Sequence, residues 1–175
     1  MASSFGTRSG APNGPAEDDT IFALSSGQGK AGVSVIRISG PQAQRCLEAL
    51  TDPGPSSGKS KPAFPAPRMA ALRRLYEPGT HELLDQALVL WFPGPRSFTG
   101  EDTVELQVHG SRAVVQGVTQ ALLALNADGG QGAEERGRGG VVRPANRGEF
   151  TEVGGCLNKQ EDGCFVEWMP SRLLF

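Results

Sequence analysis

The sequence predicts an α/β protein of the α+β kind, a mixed β-sheet with helices packed against it. Three observations carry that prediction. Short runs of β-branched and aromatic residues alternate in period two from Thr103 to His109 and run almost unbroken from Ala87 to Phe92. Two other stretches repeat their apolar residues at helical spacing: Ala43, Cys46, Leu47 and Leu50, then Val114, Val115, Val118, Ala121, Leu122 and Leu125. Glycine and proline punctuate the chain between these runs, at Glu77-Pro78-Gly79 and Pro93-Gly94-Pro95 for example.

Taken in order, residues 1–18 are rich in Ser, Gly, Pro and Ala without apolar periodicity, and are expected to be disordered. Thr20 to Leu24 reads as a strand, and Val33 to Ile38 as a second. The glycine-rich SSGQGKAG between them is a plain connection. It is no phosphate cradle of the P-loop type, because GxxxxGK[ST] occurs nowhere in the chain. Arg37, a cation inside a strand between Ile36 and Ile38, reads as an exposed strand face on these grounds alone. Pro41 to Leu50 follows as a helix with proline in its first turn, and Cys46 on its stripe is a small buried hydrophobe. Thr51 to Pro67 is a loop, and Met69 to Tyr76 a strand. His81 has no Cys or His at ligand spacing and reads as a surface histidine.

The centre of the chain is Gln86 to Gly110, QALVLWFPGPRSFTGEDTVELQVHG. The apolar run from Ala87 to Phe92 suits a strand buried on both faces. In the next strand Val104, Leu106 and Val108 share one face, and Glu105, Gln107 and His109 the other. No serine or cysteine stands beside His109 and Glu105 in a nucleophile motif, so an oriented structural histidine is expected there. Ser111 suits the N-cap of the second helix. NADGGQGAEERGRGG then forms a flexible loop, and Val141-Val142 a closing strand.

Length and composition narrow the classes. A chain of 175 residues supports one domain with a real core. A net charge of −2 argues against nucleic-acid binding by the whole surface, while leaving room for a local basic patch. Three cysteines at irregular spacing (Cys46, Cys156, Cys164) are no disulfide framework. No apolar run approaches the roughly 18 residues of a membrane span. No catalytic or metal-ligating set is expected.

Three ordered blocks also carry a resemblance. LWFPGPRSFTGED followed by VELQVHG, the upstream DTIFALSSGQGKAGVSVIRISGPQA (Asp19 to Ala43) and the downstream RPANRGEFT (Arg143 to Thr151) resemble the N-terminal domain of the MnmE/TrmE tRNA-modification GTPases, in particular their mitochondrial form. The resemblance covers residues 19–151 and implies the fold of the folate-binding part of aminomethyltransferases. It implies 5-formyltetrahydrofolate as ligand, with Arg37 and Glu105 as the two matching contact positions. It further implies a homodimer, a flavin-dependent partner protein in modification of the tRNA wobble uridine, tRNA met only indirectly, and a mitochondrial location. The presequence signal is weak, since only Arg8 serves it. Residues 152–175 do not match the family and are expected to be a disordered tail; Lys159 falls near the family's folate-contacting lysine, but in unlike surroundings. The resemblance thus implies a folate-binding and dimerisation domain without its helical and GTPase domains. The alternatives are a non-catalytic interaction module, or read-through product, that pairs with full-length subunits, and, by analogy of fold, a one-carbon transferase.

Overall fold

A computed structural model of the chain describes residues 19–26, 31–55, 58, 60–126 and 140–150. The expectations for residues 1–18, for the middle of SSGQGKAG, for the glycine-rich loop 127–139 and for everything from Thr151 onward, Lys159 included, lie outside the described residues.

Six strands and two helices follow one another as β1 (Thr20–Leu24), β2 (Val33–Ser39), α1 (Ala43–Leu50), β3 (Ala71–Tyr76), β4 (Leu83–Phe92), β5 (Thr103–His109), α2 (Arg112–Ala124) and β6 (Val142–Pro144). They form one mixed sheet in the order β3-β4-β5-β2-β1-β6. All neighbours are antiparallel except β1 and β6, which run parallel. The predicted α/β class with packed helices is the one found.

The two helical stripes explain where the core lies. Ala43, Cys46, Leu47 and Leu50 from α1, and Val118, Ala121 and Leu122 from α2, are buried in one cluster with Ile36, Ile38, Val89, Trp91, Val104, Leu106 and Val108. Both helices therefore cover the same side of the sheet. Ser111 caps α2 as its sequence suggests, its Oγ accepting from the Val114 N–H at 3.2 Å. Phe64 closes the rim of this layer, edge-on to Trp91 at 5.2 Å.

The other side of the sheet carries the opposite parity, and no helix among the described residues joins it. This corrects the expectation for β4. Its apolar run is not buried on both faces: Ala87, Val89 and Trp91 are buried against the helices, while Leu88 on the open side is 42% exposed and Leu90 half-buried. The leucines disguise an ordinary period-two alternation as a continuous apolar run. The strand also starts four residues earlier than the run, at Leu83, because Leu83, Asp85 and Gln86 keep the ladder to β3 going.

Candidate functional site

The open face places Arg37 opposite Glu105 in the β2–β5 ladder, with Ser39 opposite Thr103, Val35 opposite Gln107 and Val33 opposite His109. Opposed residues of an antiparallel pair sit on the same face. The two positions singled out from the sequence are thus brought together. Arg37 donates through Nε to Glu105 Oε1 at 2.7 Å, and the two side chains are 21% and 19% exposed. The pair is more sheltered than the solvated strand face expected for Arg37 from composition alone. Ala23 of β1 and Leu90 of β4 flank it on the same face.

One end of this face is a network of hydroxyls and carboxylates. Ser39 Oγ lies 2.6 Å from Thr99 Oγ1, and Thr99 Oγ1 lies 3.1 Å from Thr103 Oγ1. Ser39 also donates to Glu101 Oε2 at 3.1 Å. Ser39, Thr99 and Thr103 are buried, so these mutual bonds meet the requirement that buried hydroxyls find partners. Asp102 staples the same loop, its Oδ1 accepting from the Gly94 N–H at 2.9 Å while its carbonyl accepts from Gly40 N–H at 3.0 Å. The SFTGED loop is therefore tied to the Pro-Gly-Pro turn and to the end of β2. Through Ser39 and Thr103 it reaches the strand positions two residues from Arg37 and Glu105.

The other end of the face holds His109. Its orientation comes from Asp85, a residue that gave no signal in the sequence, and not from Glu105. Asp85 Oδ2 accepts the His109 backbone N–H at 2.8 Å and Oδ1 lies 2.6 Å from Nδ1, while the histidine side chain stays 70% exposed. Burial pushes the Asp85 carboxyl up, but the hydrogen bonds from His109 and from the Gln86 N–H outweigh it, so the net shift is downward. The predicted role of an oriented histidine is the one its geometry fits.

His81 departs from the expectation of a plain surface residue. It is only half-exposed, has φ +57°, and lies so close over Gly54 that a Cβ there would meet its ring at 2.4 Å. Its Nδ1 is buried without a hydrogen-bond partner among the described residues.

A third polar cluster was also missed. Arg143 of β6 donates to Asp19 Oδ2 at 2.8 Å and to both oxygens of Glu149, at 3.0 and 2.5 Å. Hydrogen bonds from Arg143 hold the Glu149 carboxyl below the usual range, and its side chain is only 4% exposed. The cluster pins β6 beside β1. Among the described residues no group of three or more His, Cys, Asp or Glu is arranged to hold a metal ion, and no helix is long and apolar enough to cross a membrane.

Comparison with known proteins supplies a relationship. The family model described as the GTP-binding protein TrmE N-terminus matches residues 20–155. The mitochondrial 5-taurinomethyluridine-tRNA synthase subunit GTPB3 of Homo sapiens is 49% identical over 156 residues, covering 87% of this chain and 27% of that protein. Its Danio rerio counterpart is 48% identical over 134 residues, covering 77% of this chain and 22% of that protein. The tRNA modification GTPase MnmE of Beijerinckia indica is 47% identical over 155 residues, 89% of this chain and 29% of its own length. The chain spans about a quarter of the length of these relatives.

Proposed function

From the premise that the chain belongs to the TrmE N-terminal family of tRNA-modification GTPases, we propose that it is a folate-binding and dimerisation domain serving modification of the tRNA wobble uridine. The observation that carries the reading is the half-buried Arg37–Glu105 pair on an open sheet face. Two opposite charges lie sheltered at 2.7 Å, with no helix over them among the described residues, and form a polar site between the hydroxyl network and His109.

The pair suits a tetrahydrofolate chemically. A pterin edge presents adjacent N–H donors, which a carboxylate accepts, and a carboxylate has about four lone-pair sites, so one arginine N–H does not exhaust it. The spacing also constrains the pose. The pterin and the glutamate tail of one folate are separated by the whole p-aminobenzoyl unit, so residues in direct contact act at one end of the ligand. Glu105 takes the pterin edge and Arg37 orients that carboxylate; the tail then needs a cation other than Arg37.

The exposed apolar side chains on the same face, Val33 and Leu72 at 55% and Leu88 at 42%, support a surface that pairs with another chain. That pairing is read as a homodimer. The flavin-dependent partner belongs to the same proposal on the sequence resemblance alone, and the mitochondrial location is supported by the names of the relatives.

Calorimetric titration of the chain with 5-formyltetrahydrofolate, with its oligomeric state measured in parallel, tests the reading. Glu105→Gln should weaken binding by about 1.5–3 kcal/mol, the worth of a charged hydrogen bond. Binding that survives both Glu105→Gln and Arg37→Ala places the ligand elsewhere. Self-association without any folate binding favours the bare interaction module.

A further inference from the structure

The charge of this protein is segregated in a way its net charge of −2 conceals: the stretch from Pro53 to Tyr76 holds five lysines and arginines and no aspartate or glutamate. The fold wraps this stretch around β3, which is the outermost strand of the sheet. Successive side chains of a strand point to opposite sides, so Arg73 projects on the helical side of the edge and Arg74 on the open side. Lys61 stands beside Arg73, since Arg73 donates to the Ala63 carbonyl at 3.0 Å and both residues line one cleft under α1. Arg68 extends the row past the start of β3, where its N–H bonds the Trp91 carbonyl at 2.7 Å and its guanidinium the Arg96 carbonyl at 2.7 Å.

The arginines of this row have no acidic partner among the described residues. Arg68 and Arg73 donate to carbonyl groups, and no described carboxylate lies within ion-pair distance of Arg68, Arg73, Arg74 or Arg96. Lys61 reaches Glu48 only at 3.7 Å, with both side chains well exposed. Arg37 and Arg143, by contrast, are closely paired. Four arginines and a lysine along one edge, up to about 20 Å from Arg68 to Arg74 at the rise of a strand, match a run of phosphates and not a single anion. Met69, next in sequence to Arg68, is 64% exposed, and Phe98, two residues beyond Arg96, is 48% exposed; an exposed aromatic ring is the kind of group on which unpaired bases stack.

We propose that the β3 edge, through Lys61, Arg68, Arg73, Arg74 and Arg96, contacts the phosphate backbone of the tRNA directly. This rests on the tRNA-modification reading above but not on the folate site. It replaces the expectation of a merely indirect encounter. An acidic protein is the other polyanion such an edge could meet. The planar forks of the arginines, the aromatic neighbour and a family that acts on tRNA favour RNA.

The test is fluorescence anisotropy of a labelled, unmodified tRNA transcript with the full 175-residue chain between 50 and 200 mM salt. Engagement of three or more phosphates gives a log–log salt slope of about −2 or steeper. Arg74→Gln with Arg96→Gln, whose side chains make no hydrogen bond or ion pair among the described residues and whose loss should leave folding intact, should weaken binding about tenfold or more and flatten the slope by about 1–2. Arg68→Gln with Arg73→Gln should do the same. Arg112→Gln with Arg147→Gln, exposed arginines elsewhere, should change neither value. Absence of tRNA binding, equal loss in the Arg112/Arg147 variant, or equally effective competition by polyglutamate at matched charge overturns the proposal. Folate titration of the same variants separates the two readings, because loss of tRNA binding with folate binding retained bears on this edge alone.

Discussion

Replacing Arg143 with methionine keeps much of its volume and removes the guanidinium that holds three chain segments together. Three charge-assisted hydrogen bonds disappear, one to Asp19 and two to Glu149, and Glu149 keeps its bond from the Asn146 N–H at 2.6 Å. Removing one partner of a buried ion pair costs about 3–5 kcal/mol, because the other is left buried and unpaired. Here Arg143 is 22% exposed and Asp19 13%, so solvent relieves part of the penalty, and about 2–4 kcal/mol is the expected loss at neutral pH. With a urea slope of about 2 kcal/mol/M, the unfolding midpoint falls by about 1–2 M. The pH dependence has a definite sign. The native Glu149 carboxyl is held below its ordinary value of 4.5, so its contribution is present above that value and is lost as pH falls through the lower native one. In Arg143→Met that acid-side decline should shrink. The assay is urea denaturation followed by circular dichroism at neutral pH and at successive values below 4.5. A loss under about 0.5 kcal/mol, or an unchanged acid limb, would mean that the backbone ladder alone holds β6.

Asp85→Asn should cost about 1–3 kcal/mol by weakening the clamp on the His109 N–H and ring, and should remove stability that Asp85 otherwise loses as pH falls through its depressed pKa; equilibrium unfolding against pH checks both. Gly110→Ala should destabilise severely, since a Cβ there would lie 2.0 Å from the Ala31 carbonyl oxygen; a thermal midpoint within a few degrees of the parent refutes that contact. Cys46, buried and with its thiol pushed up to about 12 by that burial, should resist iodoacetamide in the native protein and react only on unfolding, which peptide mapping distinguishes from labelling at Cys156 and Cys164.

What the sequence made legible was the local part of the structure. β1 and β5 start and stop at the bounds the sequence indicates, and the stripe from Val114 to Leu125 marks the face of α2 that meets the sheet. Arg37 and Glu105 could be placed on polar strand positions, because a charge within an alternating strand has one side to face. Their contact could not be read from spacing, since it depends on a register between strands 68 residues apart. The Asp85–His109 clamp was hidden for the same reason: Asp85 has the parity of the core face and turns out to cap the ladder end of a different strand. Arg143, 124 residues from Asp19, looked like part of a motif and not like a rivet. The burial of β4 was misjudged because leucine gives the same signal on a packed face and on a face left open.

The parallel pairing of β1 with β6 has a consequence for how the protein is made. Of the described strands β1 leaves the ribosome first and β2 follows it closely, so one of its edges is soon occupied. Its other edge belongs to Val142–Pro144, and the arginine that locks it there is Arg143. At about 5–20 residues per second, roughly 6–25 s of synthesis separate the two strands. Throughout that interval the nascent sheet displays an unpaired row of backbone donors and acceptors, the kind of edge on which another chain can add. Asp19, at the entrance to β1, puts a carboxylate beside that waiting edge, where it later accepts from the Val141 N–H and from Arg143. The vulnerable period of this domain therefore ends with the arrival of one short strand.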